Sequence, residues 1–280
     1  MQLTFTKMHG LGNDFVVINA IQYPCLISTQ QIQRLADRHF GIGFDQLLII
    51  EASTDPKVDV HYRIFNADGS EVGQCGNGVR CVARYLLDKG LTTKQHLVLS
   101  AQAGVMRVEI DGLDAIRVNM GKPILEPAHI PLLGKVQANQ YILDLFESEQ
   151  VIMAVSMGNP HAIILVEDIE QAPLDTVGKR IAKHPDFPEG VNVSFMQVKD
   201  RSHVALRVLE RGTGETLACG TGACAAVVGG IINGLLDATV AVTLLGGDLN
   251  ITWLGDDHPV WMTGPAVCVF EGSMEWDDNS

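Results

Sequence analysis

The sequence predicts an α/β (α+β) protein of two pseudo-symmetric domains, each a mixed or antiparallel sheet wrapped around a central helix. Two segments, GQCGNGVRC at 73–81 and LACGTGACA at 217–225, place Cys75 and Cys219 in matching glycine-rich surroundings half the chain apart. Short alternating apolar segments outnumber helical ones, and no G-x-G-x-x-G follows a strand and opens a helix, which disfavours a dinucleotide-binding sheet. A length of 280 residues suits two domains of ordinary size.

The two halves of the chain correspond along most of their length. Cys75 aligns with Cys219 at an offset of 144 residues (219 − 75), and the alternating segments 58–65 and 203–210 keep that offset. The further pairs, at offsets of 144 or 146 residues, are Glu71 with Glu215, Gly76 with Gly220, Gly78 with Gly222, Asn13 with Asn159, and Gln46 with Asn192. Collinear pairs of this kind indicate internal duplication, with two similar halves facing each other across a cleft that holds the active site.

The domain boundaries follow from the position of the repeat. We expect domains over residues 1–122 and 123–264, each carrying one of the two cysteines, with the C-terminal segment from about 265 to 280 packing on the first. Segment 121–134 contains three prolines and is the best candidate for the crossing between them.

Two of the predicted helices lie away from the cysteines. One runs from a cap at Ser28 or Thr29 to Gly41, and the other begins near Asp175 and stops at Pro185.

Each cysteine is predicted to stand at the N-terminus of a helix. The helix after Cys75 has one apolar face and ends at Gly90, whereas the helix after Cys219 is apolar nearly all round and ends at Asn233-Gly234. Unpaired N–H groups at a helix N-terminus favour an anion, and such surroundings lower a thiol pKa from ~8.5 to ~3.5–7.5. The flanking glycines would leave the backbone open to a substrate carboxylate; these are Gly76, Gly78, Gly220 and Gly222.

A pair of such thiols suggests a particular chemistry. If the two halves face each other, the sulfur atoms lie on opposite sides of one bound carbon atom. One thiolate can then remove an α-proton while the opposing thiol delivers another from behind. The residues alone therefore predict an epimerase or racemase.

Composition disfavours several kinds of partner. A formal net charge of −13 argues against nucleic acid and against an anionic membrane surface. The first ten residues lack the basic and apolar regions of a secretory signal, and the longest apolar run, 223–236, is too short to span a bilayer, so we expect a cytoplasmic protein. The six cysteines should be thiols, and their spacing disfavours a zinc site, so no metal is expected.

Six sequence blocks resemble, in order, those of the diaminopimelate epimerase family: KMHGLGNDFVVINA, RHFGIGFDQLL, FNADGSEVGQCGNGVRC, GNPHAI, PEGVNVSF and ERGTGETLACGTGACAA. The resemblance extends from Met8 to GPAVCVFEG at 264–272. It implies a cofactor-independent conversion of LL-2,6-diaminopimelate to the meso form, in lysine and peptidoglycan-precursor synthesis. It also implies two similar α/β domains and a homodimer.

The resemblance assigns roles residue by residue. Cys75 and Cys219 would be the acid–base pair, His161 and Glu210 would tune them, and Glu210 would pair with a substrate ammonium or a thiol proton. The implied substrate contacts are Gly76-Asn77 and Gly220-Thr221 for the reacting α-carboxylate, Asn13, Asn66, Asn159 and Asn192 for the other amino and carboxylate groups, Arg211 for the distal carboxylate, and Gln46 as a further pocket member. Phe270 stands where the family often has Tyr, at a position tied to the dimer contact.

Plainer interpretations stay open for several of these residues. Asn13, Asn66 and Asn192 could be ordinary turn residues, His161 could be a satisfied loop histidine, and Glu210 with Arg211 could be a surface ion pair. At the level of function, a proline racemase or hydroxyproline epimerase would share the two-cysteine chemistry, although proline lacks a second amino-acid head group for Arg211. A thiol redox switch or an amino-acid-binding module would use no catalysis at all.

Overall fold

The computed structural model describes residues 2–73, 75–112, 115–146 and 148–275 of the chain. It divides into two compact units, unit 1 over Met1–Val118 with Gly264–Ser280, and unit 2 over Asn119–Thr263. In chain order the strands and helices are β1 (Gln2–Gly10), β2 (Asn13–Asn19), α1 (Thr29–Ala36), β3 (Gln46–Glu51), β4 (Val60–Asn66), β5 (Glu71–Val72), α2 (Gly76–Asp88), β6 (His96–Ala101), β7 (Gly104–Ile110), β8 (Ile116–Asn119), β9 (Tyr141–Asp144), β10 (Glu149–Ser156), β11 (Pro160–Leu165), α3 (Lys179–Ala182), β12 (Asn192–Asp200), β13 (His203–Glu210), β14 (Gly214–Thr216), α4 (Gly220–Ile232), β15 (Thr239–Leu244), β16 (Gly247–Thr252), β17 (Trp261–Gly264) and β18 (Val267–Glu275). Single helical turns lie at Pro127–His129, Ile169–Gln171 and Leu174–Gly178.

The sheet of unit 1 is mixed. Its strands pair in the order β18-β1-β2-β3-β4-β6-β7-β8, and short β5 folds back on β4. The pairs β2–β3 and β4–β6 are parallel, and the other pairs are antiparallel. The return of β18 to pair with β1 places the end of the described chain in the unit that contains its beginning.

The sheet of unit 2 repeats that topology. Its strands pair in the order β9-β10-β11-β12-β13-β15-β16-β17, with β14 folded back on β13. The parallel pairs β11–β12 and β13–β15 stand at the positions that the parallel pairs occupy in unit 1. The register is also shared, since Phe15 pairs with Gln46 and His161 with Asn192, each member 146 residues on (161 − 15 and 192 − 46). The predicted fold class, with its internal repeat, is confirmed.

Each unit has one helix at the centre and apolar packing on both faces of the sheet. In unit 1 an outer cluster that includes Val16, Leu35 and Leu47 joins α1 to the sheet, while α2 packs on the opposite face. In unit 2 a cluster that includes Ile164, Ile181 and Phe195 covers the outer face, and α4 packs on the inner one. Nearly all of α4 is buried, as its continuous apolar sequence predicts.

The glycines of the third helical position lie close to the sheet. A Cβ on Gly78 would stand 3.2 Å from Leu48 Cδ2 and 3.4 Å from Phe15 Cε1, and one on Gly222 would stand 3.2 Å from Val208 Cγ2 and 3.3 Å from Cys219 Sγ. The expectation that the glycine exposes backbone to a substrate is therefore wrong for Gly78, whereas Gly222 also keeps the space beside the Cys219 sulfur free of a side chain. They allow the central helix to lie close against the sheet.

The central helices end as predicted, but the two outer helices are shorter than predicted. Gly90 and Gly234 adopt φ of 63° and 71°, the left-handed conformation that closes a helix. The first helix has its predicted cap at Ser28 but ends at Ala36 instead of Gly41. Its end is set by Asp37, whose carboxylate accepts hydrogen bonds from the N–H groups of His39 and Phe40 and so competes with the helix.

The other outer helix begins one residue before Asp175, as a single wide turn at Leu174–Gly178 that continues into α3. It stops at Ala182, short of Pro185. In the part of the chain that the structure describes, none of the helices is long and apolar enough to cross a membrane.

Candidate active site

Both cysteines occupy the N-cap position of a central helix. Cys75 precedes α2 and Cys219 precedes α4, each in an extended backbone conformation, with φ and ψ of −148° and 118° for the first and −114° and 104° for the second. The carbonyl of each cysteine accepts the first helical hydrogen bond, from Val79 at 2.9 Å and from Ala223 at 3.0 Å. The predicted placement of the two cysteines is confirmed. The N–H groups of the first helical turn, which have no partner within a helix, therefore lie next to each cysteine.

In unit 1, Cys75 lies beside two asparagines. Its Sγ donates to Asn13 Oδ1 at 3.7 Å, and Asn77 Nδ2 donates to the same oxygen at 3.3 Å. Asn13 is the first residue of β2 and Asn77 lies in the first turn of α2, so the sheet and the helix converge at the sulfur. Three residues named by the sequence motifs thus form one cluster.

Gln46 and Asn66 form a second pair in unit 1. They are register partners on the neighbouring strands β3 and β4, and Gln46 Nε2 donates to Asn66 Oδ1 at 3.0 Å. Asn66 also donates to Ser70 Oγ at 3.1 Å in the turn that follows β4. Asn66 therefore does lie at a turn, but its side-chain oxygen accepts a hydrogen bond from Gln46, a second candidate residue.

An ion-pair network holds the loops around Asn13, and the sequence did not reveal it. Asp14 bonds to Lys7 at 2.5 Å and to Arg38 at 2.8 Å, and Arg38 also bonds to Asp45 at 2.8 Å. Asp45 in turn accepts the Asn13 side-chain amide at 3.1 Å. Burial by itself raises the pKa of Asp14, but hydrogen bonds and charges from Arg38 and Lys7 outweigh it and leave the pKa well below its ordinary value. The one signal in the sequence was that each aspartate adjoins a motif residue, Asn13 or Gln46.

Arg80 is a second residue that sequence reasoning missed. It is fully buried, its Nη2 donates to Asn77 Oδ1 at 2.9 Å, and its Nε donates to the Pro265 carbonyl at 3.0 Å. Arg80 therefore joins the residue beside Cys75 to the segment that leads into β18. An arginine in the buried middle of a mostly apolar helix was the available signal.

In unit 2, a chain of polar side chains leads to Cys219. His161 Nε2 lies 3.1 Å from Asn159 Oδ1, Asn159 Nδ2 donates to Thr221 Oγ1 at 3.3 Å, and Thr221 Oγ1 lies 3.6 Å from Cys219 Sγ. His161 lies inside β11 and is fully buried, and its Nδ1 has no hydrogen-bond partner among the described residues. The interpretation of His161 as a satisfied loop histidine is therefore wrong.

Asn192, Glu210 and Arg211 meet where β12 begins and β13 ends. Asn192 is buried, its Nδ2 donates to the Pro160 carbonyl at 3.3 Å, and its Oδ1 accepts the Arg211 backbone N–H at 2.8 Å. The Glu210 carboxylate accepts a 2.6 Å hydrogen bond from Thr216 Oγ1. The exposed Arg211 guanidinium donates to the Glu189 carbonyl at 2.7 Å. Glu210 and Arg211 therefore have separate partners, which disfavours their interpretation as a simple surface ion pair.

The electrostatics of Cys219 differ from the expectation for a helix N-terminus. Burial, and after it the negative charge of Glu210, raise the pKa of the Cys219 thiol well above its ordinary value. The Thr221 hydroxyl and the Gly222 N–H lower it, but by less. The prediction of a lowered pKa is thus wrong for Cys219 in this structure, because the loss of solvent outweighs the helix N-terminus. Burial, followed by the charge of Arg211, lowers the pKa of His161 to about 3, so its imidazole is neutral.

Phe270 lies on the exposed part of β18. Its side chain is half exposed and contacts Phe5 edge to face, with ring centroids 6.1 Å apart. Val269 beside it is also exposed. In the described residues, no cluster of three or more His, Cys, Asp or Glu side chains is placed to hold a metal ion.

Comparison with known proteins identifies relatives over the whole chain. A family model described as diaminopimelate epimerase matches residues 5–126 and 153–269. A diaminopimelate epimerase of Nitrosomonas eutropha is 55% identical over 278 residues, which cover 98% of this chain and 100% of that protein.

Two solved structures share the fold at low sequence identity. A Bacillus anthracis phenazine biosynthesis protein of the PhzF family superposes with a TM-score of 0.71 at 18% identity, over 99% of this chain and 100% of the other. A hydroxyproline epimerase from Agrobacterium vitis gives a TM-score of 0.70 at 15% identity, over 99% and 93%. The fold is thus shared with proteins of other descriptions, whereas the sequence is specific: this chain belongs to the diaminopimelate epimerase family.

Proposed function

We propose that this protein interconverts LL- and meso-2,6-diaminopimelate by proton transfer at one α-carbon, with Cys75 and Cys219 as the two acid–base groups. The observation that carries the proposal is the repeated N-cap cysteine, one on the central helix of each unit. Membership of the family supports the substrate and the place of the reaction in lysine and peptidoglycan-precursor synthesis. The mechanism requires both thiols to reach the same carbon atom from opposite faces.

The proton transfer is balanced without a cofactor. One thiolate takes the α-proton, the C–H electron pair stays on the α-carbon, and the other thiol gives its proton to the opposite face. The charge that develops on the carbon and its carboxylate needs fixed donors, because an amino-acid α-proton is only weakly acidic. The N–H groups of Gly76-Asn77 and Gly220-Thr221 at the two helix N-termini are suited to hold that carboxylate.

Cys219 enters the reaction as the protonated partner. Its raised pKa keeps the proton on the sulfur atom, and Glu210 is the hydrogen-bond acceptor for that proton. Thr221 and the Gly222 N–H stabilise the thiolate that forms when the proton leaves. Cys75 then acts as the base for the isomer whose α-hydrogen faces the Cys75 sulfur atom. The two cysteines exchange roles in the return reaction.

The remaining motif residues suit the other charged groups of the substrate. Diaminopimelate carries two amino-acid head groups, and each ammonium or carboxylate needs acceptors or donors when it leaves water. The side-chain amides are proposed to supply them; they are Asn13, Gln46, Asn66, Asn159 and Asn192. The exposed Arg211 is proposed to bind the distal carboxylate, for which its planar guanidinium provides paired donors.

The test compares epimerisation with α-hydrogen exchange in heavy water, using LL-diaminopimelate and L-proline side by side. Wild-type protein should exchange and invert diaminopimelate but leave proline unchanged. Cys75→Ala and Cys219→Ala should each lose inversion by roughly 10²–10⁴-fold or more, because each removes a group that transfers the proton. Cys25→Ala, which changes a partly exposed cysteine elsewhere in unit 1, is the matched control. Exchange into proline, or inversion by either variant at the wild-type rate, would refute the proposal.

We also propose a homodimer formed through β18. The position of β18 beside β1 supports it, because this strand carries exposed apolar side chains on both faces, Val269 on one and Phe270 on the other. Phe270→Asp should convert the dimer to a monomer in analytical ultracentrifugation, whereas Leu254→Asp, at an exposed site in unit 2, should not. A wild-type monomer would contradict this proposal and leave the catalytic one untouched.

The proposed location is the cytoplasm. All six cysteines are free thiols, as is usual in a reducing compartment. Recovery of the protein with the soluble cytoplasmic fraction of the native organism is the expected result. Recovery in a secreted or envelope fraction would contradict it.

A further inference from the structure

Two buried polar atoms of unit 2 lack hydrogen-bond partners. His161 Nδ1 and Ser194 Oγ are both shielded from solvent, and neither has a partner among the described residues. An unsatisfied buried polar group is destabilising, so two of them on adjacent strands need an explanation.

The two side chains share one face of the sheet. The strands β11 and β12 are parallel, with His161 opposite Asn192 and Ile163 opposite Ser194, so His161 and Ser194 are diagonal neighbours. Ile163 lies on the α4 side of the sheet, 3.8 Å from where a Cβ on Gly229 would stand, and this face is therefore the one that α4 covers. Asn192, between them, is already bonded to the Pro160 carbonyl and to the Arg211 N–H.

Unit 1 shows the same positions filled with apolar side chains. At the shared offset of 146 residues, Phe15 corresponds to His161 (161 − 15) and Leu48 to Ser194 (194 − 48), in the same strand register. Phe15 and Leu48 both pack within 3.4 Å of the Cβ position of Gly78, which makes them close neighbours under the central helix. In unit 2 both positions carry smaller, polar side chains. The two replacements together provide space and hydrogen-bonding groups at positions that apolar side chains fill in unit 1.

The hydrogen bonds around Asn159 fix which imidazole nitrogen carries the hydrogen atom. Asn159 donates its amide hydrogen to Thr221, so its carbonyl oxygen must accept from His161 Nε2. A neutral imidazole has one N–H, and burial keeps His161 neutral, which leaves Nδ1 as an acceptor. Ser194 supplies an O–H donor nearby that has no acceptor. The two orphaned atoms are thus complementary.

The chain contains a direct version of this pair in unit 1. His61 Nδ1 lies 2.9 Å from Ser100 Oγ, and these residues are opposite each other on the parallel strands β4 and β6. Ser194 lies two residues beyond Asn192, the register partner of His161, and His161 and Ser194 make no direct hydrogen bond. A single water molecule spans such a gap when it finds polar partners on both sides.

We propose that one buried water molecule accepts a hydrogen bond from Ser194 Oγ and donates one to His161 Nδ1, and that Ser194 is thereby a positioning residue for Cys219. The water holds His161 in the Nε2–H form, His161 orients Asn159, and Asn159 directs the Thr221 hydroxyl hydrogen at the Cys219 sulfur. The role at Cys219 rests on the proposed function, whereas the water site and the imidazole form do not.

The first test measures the imidazole nitrogens of His161 by long-range ¹H–¹⁵N NMR. Wild-type protein should show His161 with hydrogen on Nε2 alone. Ser194→Ala should shift the Nδ1 resonance and admit the other tautomer, whereas Ser194→Thr, which keeps the hydroxyl, should restore the wild-type pattern. Ser100→Ala is the matched control, because it removes a serine–imidazole contact of unit 1 and should leave His161 unchanged. Wild-type nitrogen shifts in Ser194→Ala would overturn the proposal.

The second test measures the alkylation rate of Cys219 with iodoacetamide, followed by peptide mass spectrometry. Ser194→Ala should slow the reaction by about threefold to tenfold, the effect of one misdirected hydrogen bond, and Ser194→Thr should not. If Ser194→Ala does not fold, the wild-type NMR pattern and an ordered water in a high-resolution crystal structure decide the question, and absence of both refutes the site. If wild-type protein does not epimerise diaminopimelate, the proposed function is refuted but this water site is not.

Discussion

Asn159 donates to Thr221 at 3.3 Å, while at the equivalent place in unit 1 Asn77 donates to Asn13 at the same distance. The two pairs correspond through the internal repeat, but the direction of donation is reversed. Asn13 consequently offers an oxygen to the Cys75 thiol, and Thr221 keeps its hydroxyl hydrogen for the Cys219 sulfur. The internal repeat thus gives the two sulfur atoms opposite hydrogen-bond surroundings, which suits the proposed acid–base pair, whose members hold different protonation states.

Thr221→Val tests the donor to Cys219. The substitution keeps the branched shape but removes the hydroxyl that lowers the pKa of the Cys219 thiol, so the pKa should rise further. We expect alkylation of Cys219 at neutral pH to slow by about threefold to tenfold, the effect of one hydrogen bond. Thr239→Val, on an exposed threonine pair in β15, is the control. An unchanged alkylation rate in Thr221→Val would show that the hydroxyl does not act on the sulfur.

Glu210→Gln tests the acceptor of the thiol proton. Burial and then the Glu210 carboxylate raise the pKa of Cys219, so removal of that negative charge should lower it. The alkylation rate of Cys219 should then reach its half-maximum at lower pH than in wild-type protein. Turnover should nevertheless fall by roughly 10²-fold or more, because the proposed acceptor of the thiol proton is lost. The control is Glu215→Gln, which breaks the ion pair between Glu215 on β14 and Arg207 on β13. It should leave the pH dependence of Cys219 alkylation unchanged.

Asp14→Asn tests the ion-pair network beside Asn13. The pKa of Asp14 is depressed in the folded protein, so its contribution to stability is present above the unfolded value near ~3.9 and is lost as pH falls through the folded value. The variant should lose about 1.5–3 kcal/mol at pH 7, toward the lower end because Arg38 is half exposed and screened by solvent.

Urea unfolding at pH 7, 5 and 3 measures the difference between wild type and Asp14→Asn. The difference should be the same at pH 7 and 5 and should begin to shrink at pH 3. Asp257→Asn removes an ion pair that is fully exposed on the carboxylate side and should change nothing measurable. A difference that grows on acidification would have the wrong sign for this network.

Arg80→Lys tests the link between α2 and the segment before β18. Lysine cannot reproduce the planar donors that reach Asn77 and Pro265 together, so the free energy of unfolding should fall by about 1–3 kcal/mol. Because Asn77 lies in the proposed carboxylate site, KM should rise as well. Arg84→Lys is the matched control, since Arg84 bonds the next carbonyl, Ala266, and the Asp88 carboxylate. Equal changes in KM in both variants would show that Arg80 acts through the fold alone.

The local features of the fold were readable from the sequence because local chemistry determines them. Residues within one or two turns of each other determine the Ser28 cap. The same holds for the helices after Cys75 and Cys219 and for the glycines that end them. The end of α1 was predicted wrongly for a local reason as well, since Asp37 forms its own turn before Gly41 is reached.

The sequence by itself determined the repeat, the family and the position of each cysteine at a helix N-terminus. The tertiary structure decided what surrounds each sulfur: Asp45 behind Asn13, Arg80 behind Asn77, and Glu210 beside a Cys219 so deeply buried that its pKa rises instead of falling. Such contacts join residues far apart in the chain, and burial and hydrogen-bond direction arise only once those residues are packed together. Neither burial nor hydrogen-bond direction can be read from the periodicity and spacing of the sequence.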